Sequence, residues 1–238
     1  MQLLADPGVF PCEPPSDPND ASAIATHDWA AFSQVEEMTN HWDRPGWTDD
    51  TRAYYWMLTF PSATPLIDHA RRCQDALRHL NLDDIDDDGL HLTLGRIGNV
   101  QEVSEEQLDI LAGIASASLP AEFALNAIPL TASRGAVRYS VAPWTPVLQL
   151  HEALAAAGAS VGLPMKQPTS ILRPHLGIAY CNRPLPAPTV RDAIRPLRDL
   201  PATQVSVRQV HLVELRREER RYRWEIVHTL ELRRRSVR

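Results

Sequence analysis

Leu90-His91-Leu92-Thr93-Leu94 and, 84 residues further on, Pro174-His175-Leu176-Gly177-Ile178 are the stretches around which the rest of the chain is arranged. Each sits in an apolar run, Leu90 to Ile97 and Ile171 to Tyr180, that reads as a strand. Alternate side chains of a strand share a face. His91 and Thr93 therefore project together while Leu92 and Leu94 point into a core. His175 and Gly177 project together likewise, with Leu176 and Ile178 behind them. Two imidazoles presented this way, one from each half of the chain, point to acid–base chemistry between them.

The flanking elements recur in the same order. Tyr54 to Phe60 reads as a strand, and Pro65 to Leu80 as a helix, with Leu66, Ala70, Cys73, Leu77 and Leu80 on one face. An acidic loop leads to the His91 strand. Ser104 and Gln107 form a capping box opening a helix through Leu108, Leu111 and Ala115, and Ala121 to Ile128 is the next strand. The second half repeats this order. Ala136 to Val141 is a strand, and a helix is capped by Thr145, opened by Pro146 and closed by Gly158. The His175 strand follows, then a helix from Thr189 interrupted at Pro196, and a long strand from Gln204 to Leu215. A charged turn, Arg216 to Arg221, leads to the last strand, Tyr222 to Leu232. Shifting the sequence by 84 residues sets Leu66 on Leu150, His91 on His175 and Glu122 on Ser206. The expected fold is α+β and bilobal: two similar antiparallel-sheet-plus-helices lobes, related by a pseudo-twofold axis, with a cleft between them. Residues 27–238 form that single domain. Residues 1–26, with Pro7, Pro11, Pro14, Pro15 and Pro18, form a mobile or draped tail. His27 to Met38 reads as a short helix with Trp29, Phe32 and Val35 inward, and His41 to Trp47 as an aromatic loop.

Composition narrows the chemistry. At 44% hydrophobic and 23% charged residues the chain is that of a soluble globular protein. A net charge of −6 gives no global basic field to draw in nucleic acid, although local arginine clusters can hold a phosphate. Cys12, Cys73 and Cys181 make neither a disulfide framework nor a zinc pattern, which fits a reducing cytosol. No signal peptide and no apolar run of about 18 residues is present, so a cytoplasmic protein is expected. The sequence Asp84-Ile85-Asp86-Asp87-Asp88-Gly89 opens like a calcium loop, but Gly95 stands where the bidentate Glu belongs and a strand follows instead of a helix. No glycine-rich phosphate loop of the ATP- or NAD-binding kinds appears. No cofactor and no metal are expected.

Paired His-x-Thr/Ser-hydrophobic tetrads at this separation resemble the 2H phosphoesterase superfamily, particularly its 2′–5′ RNA ligase-like (LigT-like) branch. The likeness runs from about residue 40 to the C-terminus. It includes Arg44-Pro45-Gly46-Trp47, Tyr54-Tyr55-Trp56, Gly89 to Leu94 and Arg173 to Tyr180. The resemblance implies metal-independent chemistry on 2′,3′-cyclic or 2′–5′ phosphodiesters of RNA or nucleotides. In it His91 and His175 are the catalytic pair and Thr93 holds a non-bridging phosphate oxygen. The second tetrad departs from the pattern at Gly177, where the family has Thr or Ser. A glycine there makes room for a bulkier substrate, with a backbone N–H or the guanidinium of Arg173, two residues before His175, compensating; Thr93, Gly177 and Arg173 are the phosphate-binding candidates. Tyr180, which alternation puts on the opposite face from His175, and Trp42 are the base-stacking candidates. The expected partner is RNA or a nucleotide, with no membrane, bound by a monomer. The alternative function is a nucleotide- or RNA-binding module that keeps the cleft without turnover, a reading favoured by Gly177. A third is a phosphoesterase for another small phosphorylated metabolite.

Overall fold

The structure, a computed structural model, describes residues 2–43, 45–48 and 50–234; Arg44 of the quoted loop lies outside the described residues. The chain runs α1 (Ala21–Ser33), β1 (Arg52–Thr59), α2 (Thr64–Leu77), β2 (His91–Asn99), α3 (Glu105–Ser118), β3 (Phe123–Ala132), β4 (Ala136–Ala142), α4 (Thr145–Ser160), β5 (His175–Tyr180), α5 (Ala187–Ile194), β6 (Thr203–Val207), β7 (Gln209–Glu218) and β8 (Arg221–Glu231). Among the described residues the main strands form two antiparallel sheets. One has the order β8-β7-β1-β2; the other runs from a short strand, Asp83–Asp84, through β5, β4 and β3 to β6. The fold is α+β and bilobal, as the repeat implied.

The lobes are not closed upon their own halves. β3 belongs to the first half in sequence yet pairs with β4 (Asn126 opposite Ala142), and β7 of the second half pairs with β1 (Val213 opposite Tyr55). Each half lends a strand to the other's sheet. The long strand expected from Gln204 to Leu215 therefore breaks at Arg208, because one ladder cannot serve two sheets. β6 stays with β3, and β7 crosses to β1. The Arg208 carbonyl at the crossing accepts from Leu232 N at 2.8 Å.

The pairing register records the duplication more sharply than residue identity does. In the β1–β2 ladder, Trp56 faces Gly95 and Met57 faces Thr93, leaving Leu94 without an opposite residue. In the β4–β5 ladder, Val137 faces Ala179 and Arg138 faces Gly177, leaving Ile178 unopposed. Both extra residues stand three positions after a histidine. A bulge bends its strand and re-aims the side chains beyond it. The one at Ile178, whose carbonyl accepts from Ile85 N and Gln74 Nε2 at 2.9 Å each, carries Tyr180 to the face of His175, contrary to strict alternation.

Helix limits follow local capping. Asp20 caps α1 through Ala23 N at 2.6 Å, so this helix begins six residues before the expected His27 and puts fully buried Ile24, within the supposed tail, into the core. Trp144, not Thr145, occupies the N-cap position of α4. Gly158 lies inside α4 rather than closing it: a Cβ there would stand 2.5 Å from the Leu163 carbonyl oxygen, so glycine admits the returning chain. The capping box of α3 forms as read, with Gln107 N donating to Ser104 Oγ at 3.2 Å and Ser104 N to Gln107 Oε1 at 3.0 Å.

His151, on α4, is fully buried with Nδ1 2.7 Å from Thr169 Oγ1, and burial pulls its pKa down to about 4. The unfolded chain takes the same proton near 6.5. This contribution is therefore intact above about pH 6.5 and is lost as the pH falls towards 4, by roughly 3 kcal/mol in all. His151→Gln keeps a hydrogen-bonding side chain without the titration. Urea unfolding between neutral and acid pH should show a flatter stability curve for the variant than for the wild type.

Candidate active site

A cleft of about 640 Å³ lies between the two sheets, within the usual size of a small-molecule site. β1 and β2 supply Tyr55, Met57, His91 and Thr93 to its wall; β5 supplies His175, Gly177 and Tyr180. The two tetrads thus meet in one space.

The two imidazoles are held in matching fashion. His91 Nδ1 lies 2.7 Å from the Gly89 carbonyl and His175 Nδ1 lies 2.8 Å from the Arg173 carbonyl, each two residues upstream of its ring. A carbonyl only accepts, so each Nδ1 carries its hydrogen, and in the neutral ring Nε2 keeps a lone pair. Neither Nε2 has a hydrogen-bond partner among the described residues. Trp224 packs edge-on against His91 at 5.3 Å between centroids. Desolvation by the cleft walls pulls the His91 pKa below its ordinary value, against a smaller upward pull from the Gly89 carbonyl. His175 shows surface to the cleft but is ringed by protein on its other sides. Desolvation first, then the Arg138 guanidinium, holds it down at about 4, and the charge of His91 is felt there too.

Thr93 is exposed on the His91 face, its hydroxyl open to the cleft. Across the ladder Gly177 faces Arg138 and His175 faces Ser140. Arg138 is 1% exposed and is paired loosely with equally buried Asp28 of α1, Nη2 to Oδ2 3.9 Å, while Ser140 Oγ donates to that same oxygen at 2.6 Å. A cation thus lies behind the position where the second tetrad lacks its hydroxyl.

Two expected contacts are corrected. Arg173 is 4% exposed and its guanidinium donates to the carbonyls of Leu4, Pro11, Leu172 and Cys12 at 2.7–3.3 Å. Arg173 does line the cleft, but its guanidinium is committed to these carbonyls and pins the N-terminal segment to the lobe. Trp42 is buried, its indole N–H donating to Asp83 Oδ2 at 2.8 Å, and it does not line the cleft. Tyr180 does line it, with one face stacked on His41 at 4.0 Å. Trp47 of the aromatic loop lines the cleft, and so do Phe10, Arg134 and Tyr222, which sequence reading passed over. They come from the N-terminal segment, a loop, a hairpin turn and the last strand, and no periodicity connects these places. The acidic loop is tied to arginines: Asp86 receives Arg221 and Arg223 at 3.1 and 3.0 Å, and Asp87 receives Arg71. Among the described residues no group of three His, Cys, Asp or Glu side chains is arranged to hold a metal ion. Among them, too, no helix is long and apolar enough to cross a membrane.

The sequence pattern of the 2′-5′ RNA ligase superfamily matches residues 60–219, the part of the chain that contains both tetrads. The chain belongs to the 2′-5′ RNA ligase superfamily. It is a 2H phosphoesterase of the LigT-like kind, and the structures with the same fold agree. E. coli LigT in its apo form is 16% identical with a TM-score of 0.57, over 77% of this chain and 99% of that one. TT0787 of Thermus thermophilus is 17% identical with a TM-score of 0.57, over 77% and 100%. E. coli LigT complexed with 3′-AMP is 17% identical with a TM-score of 0.55, over 76% and 98%. At such identity these likenesses speak for the fold alone. No curated protein matches the chain in sequence.

Proposed function

We propose that the chain is a cytoplasmic phosphodiesterase that works on 2′,3′-cyclic or 2′–5′ phosphodiesters of RNA or nucleotides, using His91 and His175 as acid and base without a metal ion. The observation that carries this reading is the matched clamp: each Nδ1 is tied to a carbonyl, and each Nε2 is left to the shared cleft. In hydrolysis one neutral Nε2 takes a proton from water as the water oxygen bonds to phosphorus. The bond from phosphorus to the leaving ribose oxygen breaks, and the other ring, entering as imidazolium, gives that oxygen its Nε2 proton. The carbonyl at each Nδ1 supports the cationic ring in either role. Thr93 holds a non-bridging oxygen. The 3′-AMP complex of LigT supports a nucleotide as ligand, and the three free cysteines, two of them buried, fit a reducing compartment. The test is incubation with a 2′,3′-cyclic mononucleotide in EDTA. Ring-opened phosphomonoester is the expected product. Binding without turnover would favour the second reading, a nucleotide-binding module, which rests on the missing hydroxyl at Gly177.

That hydroxyl can be restored. A Cβ at Gly177 would stand 3.1 Å from Ile85 Cδ1, so the isoleucine tip must yield by a few tenths of an ångström. In an Ile85→Val background, which clears the contact, Gly177→Ser should raise kcat/KM by about tenfold over Ile85→Val alone, the low end of what one charge-assisted hydrogen bond contributes. An unchanged or lower rate rejects the account of a missing donor.

A further inference from the structure

Helix α3 buries Leu108, Leu111, Ala112 and Ala115, yet its opposite side is apolar too. Ile110 and Ile114 are 49% and 41% exposed, and exposed Gly113 and Ala117 complete a stripe at spacings of three and four. Of the five large apolar side chains that the described residues leave exposed, four lie on α3 and β8, the other two being Ile226 and Val227. The two elements meet where His228 Nε2 comes within 3.0 Å of Asp109 Oδ1. Single apolar side chains on a surface need no partner, but neighbouring ones mark an interaction face. Gly113 adds a separate observation. A glycine inside a helix is less stable than an alanine, and a Cβ there would meet nothing within 4 Å, so no packing within this chain requires its absence. Bare backbone at that place lets a second helix lie close.

Charge decides which helix that is. Exposed Glu105, Glu106 and Asp109 stand at the N-terminal end of α3. At the other end Arg233 Nε donates to the Leu119 carbonyl at 2.8 Å, exposed Arg234 follows it, and exposed Arg208 lies 3.5 Å from Glu122. Three carboxylates therefore face one way, and three guanidinium groups offset by one carboxylate the other, about 21 Å apart along 14 residues. Antiparallel packing of α3 on α3 of a second copy sets each acidic end against a basic end. Parallel packing would set like against like. A two-fold axis makes the favourable contact twice and closes the interface on itself. No residue of α3 lines the cleft, so this pairing leaves the cleft open.

We infer that the chain forms a two-fold dimer through α3, in place of the monomer expected from the sequence, with the Ile110 and Ile114 stripes of two copies packed antiparallel. The test is sedimentation velocity of the full-length protein from about 1 to about 100 µM, a range suited to an interface at the small end of the stable sizes. A species of twice the 26.7 kDa chain should grow with concentration and shrink as salt screens the paired ends. Ile114→Asp should stay monomeric throughout, with the circular dichroism and melting temperature of the wild type, because the substituted side chain is exposed. A second pair of variants reads the charges. Glu105→Arg with Glu106→Arg makes both ends basic, and Arg208→Glu with Arg234→Glu makes both ends acidic. Each alone should associate at least about tenfold more weakly than the wild type, and an equimolar mixture of the two should restore the dimer, since both contacts then join opposite charges. A wild-type chain that stays monomeric at every concentration overturns the inference, whether the face is bare or is covered by a different protein. A dimer that survives Ile114→Asp, or one that the mixture fails to restore, overturns it as well, because the copies then meet through another face.

Discussion

Replacing either His91 or His175 by alanine should lower kcat on a 2′,3′-cyclic mononucleotide by about 10²–10⁴-fold, the range expected for losing one positioned acid or base. The double variant should be little worse than the poorer single one, because an acid without its base has no concerted transfer to complete. KM should move much less, since Thr93 and the aromatic wall remain. The pH profile gives an independent check. The cleft pulls both pKa values below the ordinary histidine value, His175 to about 4. The base must be neutral and the acid charged, so kcat/KM should rise with pH through the lower value and fall above the higher one. Its maximum belongs below about pH 6.5, with roughly tenfold lost per unit on the alkaline side. A maximum at alkaline pH, or an alanine variant that keeps wild-type kcat, removes the two-imidazole mechanism.

Much of this arrangement is legible in residue order. The tetrads give the strands and the faces of His91, Thr93 and His175, and the 84-residue shift gives two lobes and a cleft. What escapes is what depends on pairing partners. Nothing in Gln204 to Leu215 announces that Arg208 lets the chain leave one sheet for another, because both segments carry the same strand-forming residue types. The bulge at Ile178, which turns Tyr180 into the cleft, arises from the register against β4 and from two donors on the Ile178 carbonyl, 93 and 104 residues away in sequence. Arg173 is misread for a related reason. Alternation places it beside His175, but the carbonyls that capture it belong to Leu4, Pro11 and Cys12, in a proline-rich stretch whose path has no periodic signal. Local patterns fix faces; long-range hydrogen bonds decide which of those faces reach the cleft.

The pair behind the second tetrad should prove the most costly to break. Burial alone would raise the Asp28 carboxyl, but the His27 ring, with Nδ1 3.4 Å from Oδ1, the Arg138 charge and the Ser140 hydroxyl together bring it below the usual carboxylate range. Burial also lowers Arg138, whose guanidinium lies over the Phe10 ring at 5.6 Å with Nε and Nη2 lacking hydrogen bonds. Arg138→Met strands a buried carboxylate and should cost about 3–5 kcal/mol in urea unfolding. Without its cation Asp28 is held above its unfolded pKa, so the penalty is present at neutral pH and shrinks as acid protonates it. Adding Asp28→Leu removes the stranded charge and should return most of the loss, since a well-packed apolar pair often replaces a buried ion pair without penalty. The same variants report on the site. Arg138 is one cause of the low His175 pKa, so Arg138→Met should move the acid limb of kcat/KM upward. A cost under about 1 kcal/mol would make the pair a bystander to folding. An unmoved acid limb would separate this cation from His175.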